Sequence, residues 1–360
     1  MADSKIDTTL TELQSQDFDA AFEILRDLVD LREADNYNPM RANAVFTTSV
    51  VLWMLVYQRL KTDASLEAAV KHLLETKPEY LPNNKRITER TLSSGTASYS
   101  QARSRLPLDV VQWFAGQVSN AIIDSCERVL DGRQVFLIDG TTLALAPEIE
   151  LQQAFPPATN QFGEGIWPIA LMTVFHELAS GCALLPEVGA MYGPNAISET
   201  EQARNGMLNL PENSIIMGDA GFGIFGVAFE AERCGHDFFL RMKKGNFESL
   251  RKQATLQSEG ENYKSYSHTW IPTAPNRKTQ PNLPATASLE VRLHEFKISE
   301  SSTLYFVTSL PHDALTLAEL YKRRNDVEVD IRNLKVVMDT ENIRAKSVDM
   351  FRKERNRSRV

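Results

Sequence analysis

Apolar positions recur at helical spacing through roughly the first third of the chain and then change period. FDAAFEILRDLVDLREA (18–34) carries its apolar residues on one face of a 3.6-residue helix, and the segments 44–60, 66–75 and 108–130 do the same. The longest apolar run, Val50 to Tyr57, is too short to span a bilayer and predicts a buried helix. KRITERTLSSGTASYSQARSRLP (85–107) breaks at Ser93-Ser94-Gly95 and resumes with Arg103 and Arg105. It is open to two readings: a helix-turn-helix-like DNA contact, or a plain turn between helices.

From residue 133 short apolar runs replace the helical pattern. QVFLIDG (134–140) and SIIMGDAGFG (214–223) are β-type runs that lead into Asp-Gly and Asp-Ala-Gly. WPIALMTVFHE (167–177) and CALLPEVG (182–189) flank Leu178-Ala179-Ser180-Gly181 as a hairpin-like pair. Such strands predict a central sheet, with ligands gathering beyond the strand ends. Between 240 and 310, YKSYSHTWIP, SLEVRLHEFKIS and STLYFVTSL alternate with period two around Pro-rich turns, which predicts a β-rich insertion. A helix follows at about 314–338. The basic ending RKERNRSRV reads as a disordered tail. The expected division is a helical domain over 1–130, a candidate for binding a DNA end, and an α/β domain over 131–360, with the insertion at about 224–310.

Charge changes this picture more by its distribution than by its sum. The net charge is −8, which disfavours a nucleic-acid partner at first sight. Residues 1–50, however, hold ten acids against four bases, whereas 321–360 hold twelve bases against seven acids. Phosphate binding needs only a local basic surface. The three cysteines are widely separated, which argues for a reducing compartment and against structural zinc. The N-terminus carries no signal-peptide pattern, so the expected location is cytoplasmic, associated with the nucleoid when bound to DNA, with no membrane partner.

The candidate chemistry lies in YKRRNDVEVDIRNLK (321–335). At helical spacing Tyr321, Arg324, Glu328 and Lys335 fall within a stripe about 60° wide. A carboxylate flanked by a phenol and two cations suits a phosphate-rich ligand and a metal ion; a solvated helix face is the competing reading. Two further carboxylates, Asp139 and Asp219, end apolar runs. Oxygen ligands converging from several elements could hold two metal ions. Taken singly, Asp139-Gly140 could be a turn and Asp219 a helix N-cap.

These residues carry a resemblance. The chain resembles the Asp-Asp-Glu transposases of bacterial insertion sequences, in the branch whose third acid lies in a Tyr-x2-Arg-x3-Glu-x6-Lys signature. Tyr321, Arg324, Glu328 and Lys335 match that spacing, and VFLIDGTTL and IIMGDAGFG resemble the first- and second-acid strands. LRMKKGN (240–246) and LYFVTSL (304–310) also look like family segments. The resemblance implies an RNase H-like core interrupted by the β-rich insertion. In it, Asp139, Asp219 and Glu328 would hold two Mg²⁺ ions, with Mn²⁺ able to substitute. The implied activity is cleavage and strand transfer at terminal inverted repeats through a hairpin intermediate, by a homodimer in a synaptic complex. Tyr321, Arg324 and Lys335 would grip phosphates, Trp270 would stack on a flipped base, and Lys243 and Lys244 would contact the backbone. Only 25 residues follow Lys335, fewer than family members often carry. A truncated, catalytically deficient relative that regulates transposition by binding DNA is therefore the alternative.

Overall fold

The computed structural model describes residues 28–61, 65–161, 163–337 and 345–357; of 59–60, 326–337 and 354–357 it describes the backbone alone. The chain divides into two compact units, one formed by 1–125 with 334–360, the other by 126–333.

In the first unit the expected buried helix is Thr48–Leu60, and all eight residues from Val50 to Tyr57 are at most 4% exposed. A helix apolar on every side can only be a core helix. Helices Leu66–Thr76, Ala97–Arg105 and Leu108–Asp124 supply Val70, Leu73, Tyr99, Phe114 and Val118 to the same core. The Tyr99 hydroxyl donates to Gln58 Oε1 at 2.7 Å, so the one polar atom of that buried ring is satisfied. Within the described residues, up to Arg357, the basic ending corrects the expectation of disorder. Val348–Arg357 is a helix. Phe351 is fully buried, and the Lys353 ammonium reaches Asp349 (2.6 Å) and the Ser104 carbonyl (3.1 Å). An apolar anchor inside a charged run is easily missed when composition alone is read. No helix among the described residues is long and apolar enough to cross a membrane.

In the second unit the strands are β1 (Val135–Ala144), β2 (Thr159–Asn160), β3 (Gly163–Glu164), β4 (Ile169–Glu177), β5 (Glu187–Ala190), β6 (Ile215–Gly218), β7 (Asp237–Arg241), β8 (Thr255–Glu259), β9 (Tyr263–Trp270), β10 (Leu289–Lys297) and β11 (Thr303–Thr308). Among the described residues nine of them form one mixed sheet in the order β5-β4-β1-β6-β7-β11-β10-β9-β8, and β2 pairs with β3 apart from it. β1 runs parallel to β6, and β6 to β7; every other pairing in the sheet is antiparallel. The period-two segments between 255 and 308 thus prolong the central sheet through the β7–β11 pairing.

Strand alternation sorts the apolar residues onto two faces. Phe136, Ile138, Ile216, Phe238 and Leu240 join Ala203 and Met207 of helix Glu199–Met207 and Val227 and Ala228 of helix Phe225–Arg233 in one core. Leu137, Met217, Phe239 and Phe306 pack with Leu317 and Leu320 of helix Ala314–Val337 in the other. The expected hairpin at 178–181 is the β4–β5 connection. There the buried Glu177 carboxylate accepts from the Ala179 and Ser180 amides, and Gly181 takes the left-handed turn conformation (φ 68°).

Candidate active site

Sheet register brings the first two candidate acids together. The parallel β1–β6 ladder ends at the pair Ile138–Gly218, so Asp139 and Asp219 are the next residues on neighbouring strands, whose spacing is about 4.8 Å. Asp139 is not a turn residue. β1 continues five residues beyond it, with Asp139 opposite Val174 and Gly140 opposite Thr173 of β4. The Asp-Gly dipeptide misleads as a turn signal because β4 keeps pairing after β6 has ended. Asp139 follows Leu137 by two and so points to the face that carries Ala314–Val337. Asp219 is not a helix N-cap either; Ile224 occupies that position in the helix that follows. Its Oδ1 accepts from the Gly221 amide at 2.7 Å, which fixes the carboxylate at the strand end.

The helix holding the signature crosses that same face. Tyr321 packs edge-on against Phe306 (4.6 Å between ring centroids) and Phe239, and its hydroxyl accepts from Arg324 Nη1 at 2.8 Å. The two residues act as one aromatic–guanidinium unit, with the Arg324 guanidinium 5.6 Å from the ring centroid. Glu328 and Lys335 lie in the same helix, and their side chains are outside the described residues.

A third carboxylate, unexpected from sequence, lies near the Asp pair but over Gly140, on the face of β1 that carries helix Glu199–Met207. Glu199 opens the helix Glu199–Met207, whose Ser198 cap accepts from the Glu201 amide. Three residues on, the buried Gln202 donates to the Leu171 carbonyl (3.0 Å) and accepts from Thr173 Oγ1 (2.8 Å), clamping the helix to β4. That clamp aims Glu199 over Gly140: a Cβ there would stand 1.5 Å from Glu199 Oε1. Burial first, then the charges of Asp219 and Asp139, push the Glu199 carboxyl above its ordinary range. No sequence signal marks it, since Ser-Glu-Thr-Glu reads as an ordinary helix start. Arg241 is a second residue at the strand ends that no sequence signal marks. Leu240 pairs with Gly218, so this half-buried cation is the next residue on β7 as Asp219 is on β6.

Asp139 and Asp219 offer carboxylate oxygens, which suit a hard divalent cation, and their charges add to burial in pushing Glu199 upward. Among the described residues no three His, Cys, Asp or Glu side chains stand close enough together to hold a metal ion. The Asp139–Asp219 pair therefore needs a donor from elsewhere to complete a site.

The remaining candidates are elsewhere in the second unit. Lys243 and Lys244 are exposed at the start of helix Lys244–Arg251, where cations oppose the helix dipole; Lys244 lies 3.8 Å from Glu248. Trp270 is 5% exposed, its ring edge-on to Phe225 at 5.3 Å. It is a core residue, and this conformation leaves it almost no face on which a base could stack.

Residues 131–356 match the family model described as "Transposase DDE domain". The chain belongs to the DDE transposase family. The match spans the two Asp strand ends and the whole helix Ala314–Val337. Transposases of this family act on DNA and generally depend on divalent metal. Among solved structures, the chain is similar to the piggyBac transposase synaptic complex with hairpin DNA. The identity is 11% and the TM-score 0.42, covering 93% of this chain and 70% of that one. No curated protein matches the sequence.

Proposed function

We propose that this transposase cuts and joins DNA at insertion-sequence ends by metal-assisted phosphoryl transfer, with Asp139, Asp219 and Glu328 as its acidic set. The observation that carries the reading is the register of Asp139 and Asp219 at the end of one parallel ladder, on a sheet crossed by the helix that bears Glu328. The strand order β5-β4-β1-β6-β7, with β4 antiparallel and β6 and β7 parallel to β1, supports an RNase H-like core. The four strands β8 to β11 would then be the insertion between the second and third acids. The spacing of Tyr321, Arg324, Glu328 and Lys335 supports membership of the insertion-sequence branch that carries this signature.

Asp139, Asp219 and Glu328 would hold two Mg²⁺ ions, and Mn²⁺ would serve in their stead. The metal pair supplies Lewis-acid stabilisation of the attacking and leaving oxygens of an in-line displacement. The chain's own residues do the rest. The Gly221 amide holds one Asp219 oxygen in position. Tyr321 orients the Arg324 guanidinium, which suits bidentate contact with a phosphate. Lys335 would add a point charge farther along the helix, with Lys243 and Lys244 contacting the backbone. In this reading the freed 3′-hydroxyl attacks the opposite strand to give a hairpin end, and the enzyme works as a homodimer on paired ends.

The test is cleavage of a duplex carrying the inverted repeat that flanks the gene, with Mg²⁺ and with EDTA. Nicking and then a hairpin product are expected with Mg²⁺ alone. Binding without any cleavage would replace this reading with that of a DNA-binding regulator. Lys335→Ala is expected to weaken end binding and flatten the salt dependence of log K by about one unit of slope, one phosphate contact being lost. An unchanged slope would remove Lys335 from the interface.

A further inference from the structure

Past the end of β1 the second unit carries an apolar patch that belongs to neither of its cores. The Leu145 amide donates to the Pro168 carbonyl (2.9 Å) and closes the β1–β4 pairing there. The connection between the two strands contains the short helix Ile149–Ala154 and the β2–β3 ribbon. The Gln152 side chain donates to the Ile166 carbonyl (3.0 Å), which ties that helix to the segment leading into β4. Ile149 and Gln152 share a helix face, so the bond brings Ile149 alongside Ile166 and Trp167. Ile149 is 73% exposed, Ile166 67% and Trp167 57%. Single exposed apolar residues are ordinary, but three large ones held together, one of them Trp, have the composition of an interface.

The surrounding charge narrows what can cover it. Glu148 and Glu150 flank Ile149, and Glu164 lies just before Gly165-Ile166. No Lys or Arg occurs between Arg133 and Arg204. A surface that received DNA phosphates would need cations here. Two copies meeting symmetrically through this patch would set its glutamates against one another. The patch also stands away from the acids. At about 3.3 Å per residue, Trp167 is roughly 20 Å along β4 from Val174, the residue opposite Asp139.

We propose that the Ile149–Ile166–Trp167 patch docks a basic segment of another protein. An apolar side chain of that segment seats on Trp167, and its lysines or arginines pair with Glu148, Glu150 and Glu164. The contact does not use the acidic set, so it stands or falls separately from the transposase reading.

The test is fluorescence anisotropy of a labelled peptide of alternating leucine and lysine, titrated with the full chain at rising KCl. A peptide of alternating leucine and glutamate is the control. The lysine peptide is expected to bind and the glutamate peptide to stay free. Ile166→Ser with Trp167→Ala should weaken the lysine peptide about tenfold or more. Glu148→Gln, Glu150→Gln and Glu164→Gln together should weaken it at low salt and flatten its loss of affinity as salt rises. Both variants should melt and cleave as wild type does, because the altered side chains are exposed or half-buried and lie away from the acids. Equal affinity of wild type and the Ile166/Trp167 variant would place the peptide elsewhere on an acidic protein and overturn the assignment. Weaker duplex binding by that variant would make the patch a DNA contact. A wild-type dimer that the variant dissolves would make it a contact between copies. Either result overturns the proposal.

Discussion

Asp139→Asn and Asp219→Asn each lower Mg²⁺-dependent cleavage by about 10²-fold or more while leaving DNA binding within about twofold. The change removes a negative oxygen without altering side-chain size. Asp139 lies within β1, paired across to Val174, and Asp219 keeps its Gly221 contact if the amide oxygen takes that role. The fold should therefore stand, and melting within a few degrees of wild type would confirm it. Single-turnover cleavage beside a binding isotherm measures the split. Equal loss of binding and cleavage would mean that these residues hold the protein together rather than act on phosphorus. Retained cleavage in either variant would remove that residue from the acidic set. Glu328→Gln is expected to behave as the other two do.

Glu199→Gln has the second largest expected effect, and its sign depends on what is measured. In metal-free protein, burial and the nearby Asp219 and Asp139 raise the Glu199 pKa. A carboxyl whose folded pKa is raised binds its proton more tightly when folded. Stability then falls as pH climbs from the unfolded pKa through the folded one, and the penalty is complete only above the folded pKa. Gln carries no such penalty, so the variant should melt higher than wild type at pH 7 and close to it below about pH 4. Divalent metal reverses the order of gain. Mg²⁺ should raise the melting temperature of wild type more than that of Glu199→Gln, and cleavage should fall about 10–100-fold, the range for a residue that supports a metal site without ligating the metal directly. Gly140→Ala tests the same contact from the other side. Its methyl would displace the flexible end of Glu199, so the substitution should lower cleavage in wild type and do almost nothing in a Glu199→Ala background. Additive effects would mean that Gly140 and Glu199 act separately.

Much of the architecture was legible because each element announced itself by period. Val50–Tyr57 reads as a buried helix, and the period-two segments between 240 and 310 read as a β-rich insertion. What was not legible depended on pairing between distant segments. Asp139-Gly140 looked like the end of a strand because nothing local shows that β4 continues alongside β1. The resemblance places Trp270 against a flipped base, whereas its ring is buried edge-on to Phe225, 45 residues away. Glu199 was invisible for the same reason: only the Gln202 clamp on β4 and the space over Gly140 bring it to the acids. The C-terminal helix was hidden by charge, with Phe351 as its buried anchor. The acids themselves were found from the residue pattern around them, and register then explains why two of them are neighbours.

The central claim is that carboxylates distant in sequence share divalent ions. A crystal soaked in Mn²⁺ with a DNA end, read by anomalous scattering, tests it most directly. The expected result is density at about 2.0–2.2 Å from oxygens of Asp139, Asp219 and Glu328. Density elsewhere, or a Glu328 carboxylate turned away from the Asp139–Asp219 pair, would contradict it.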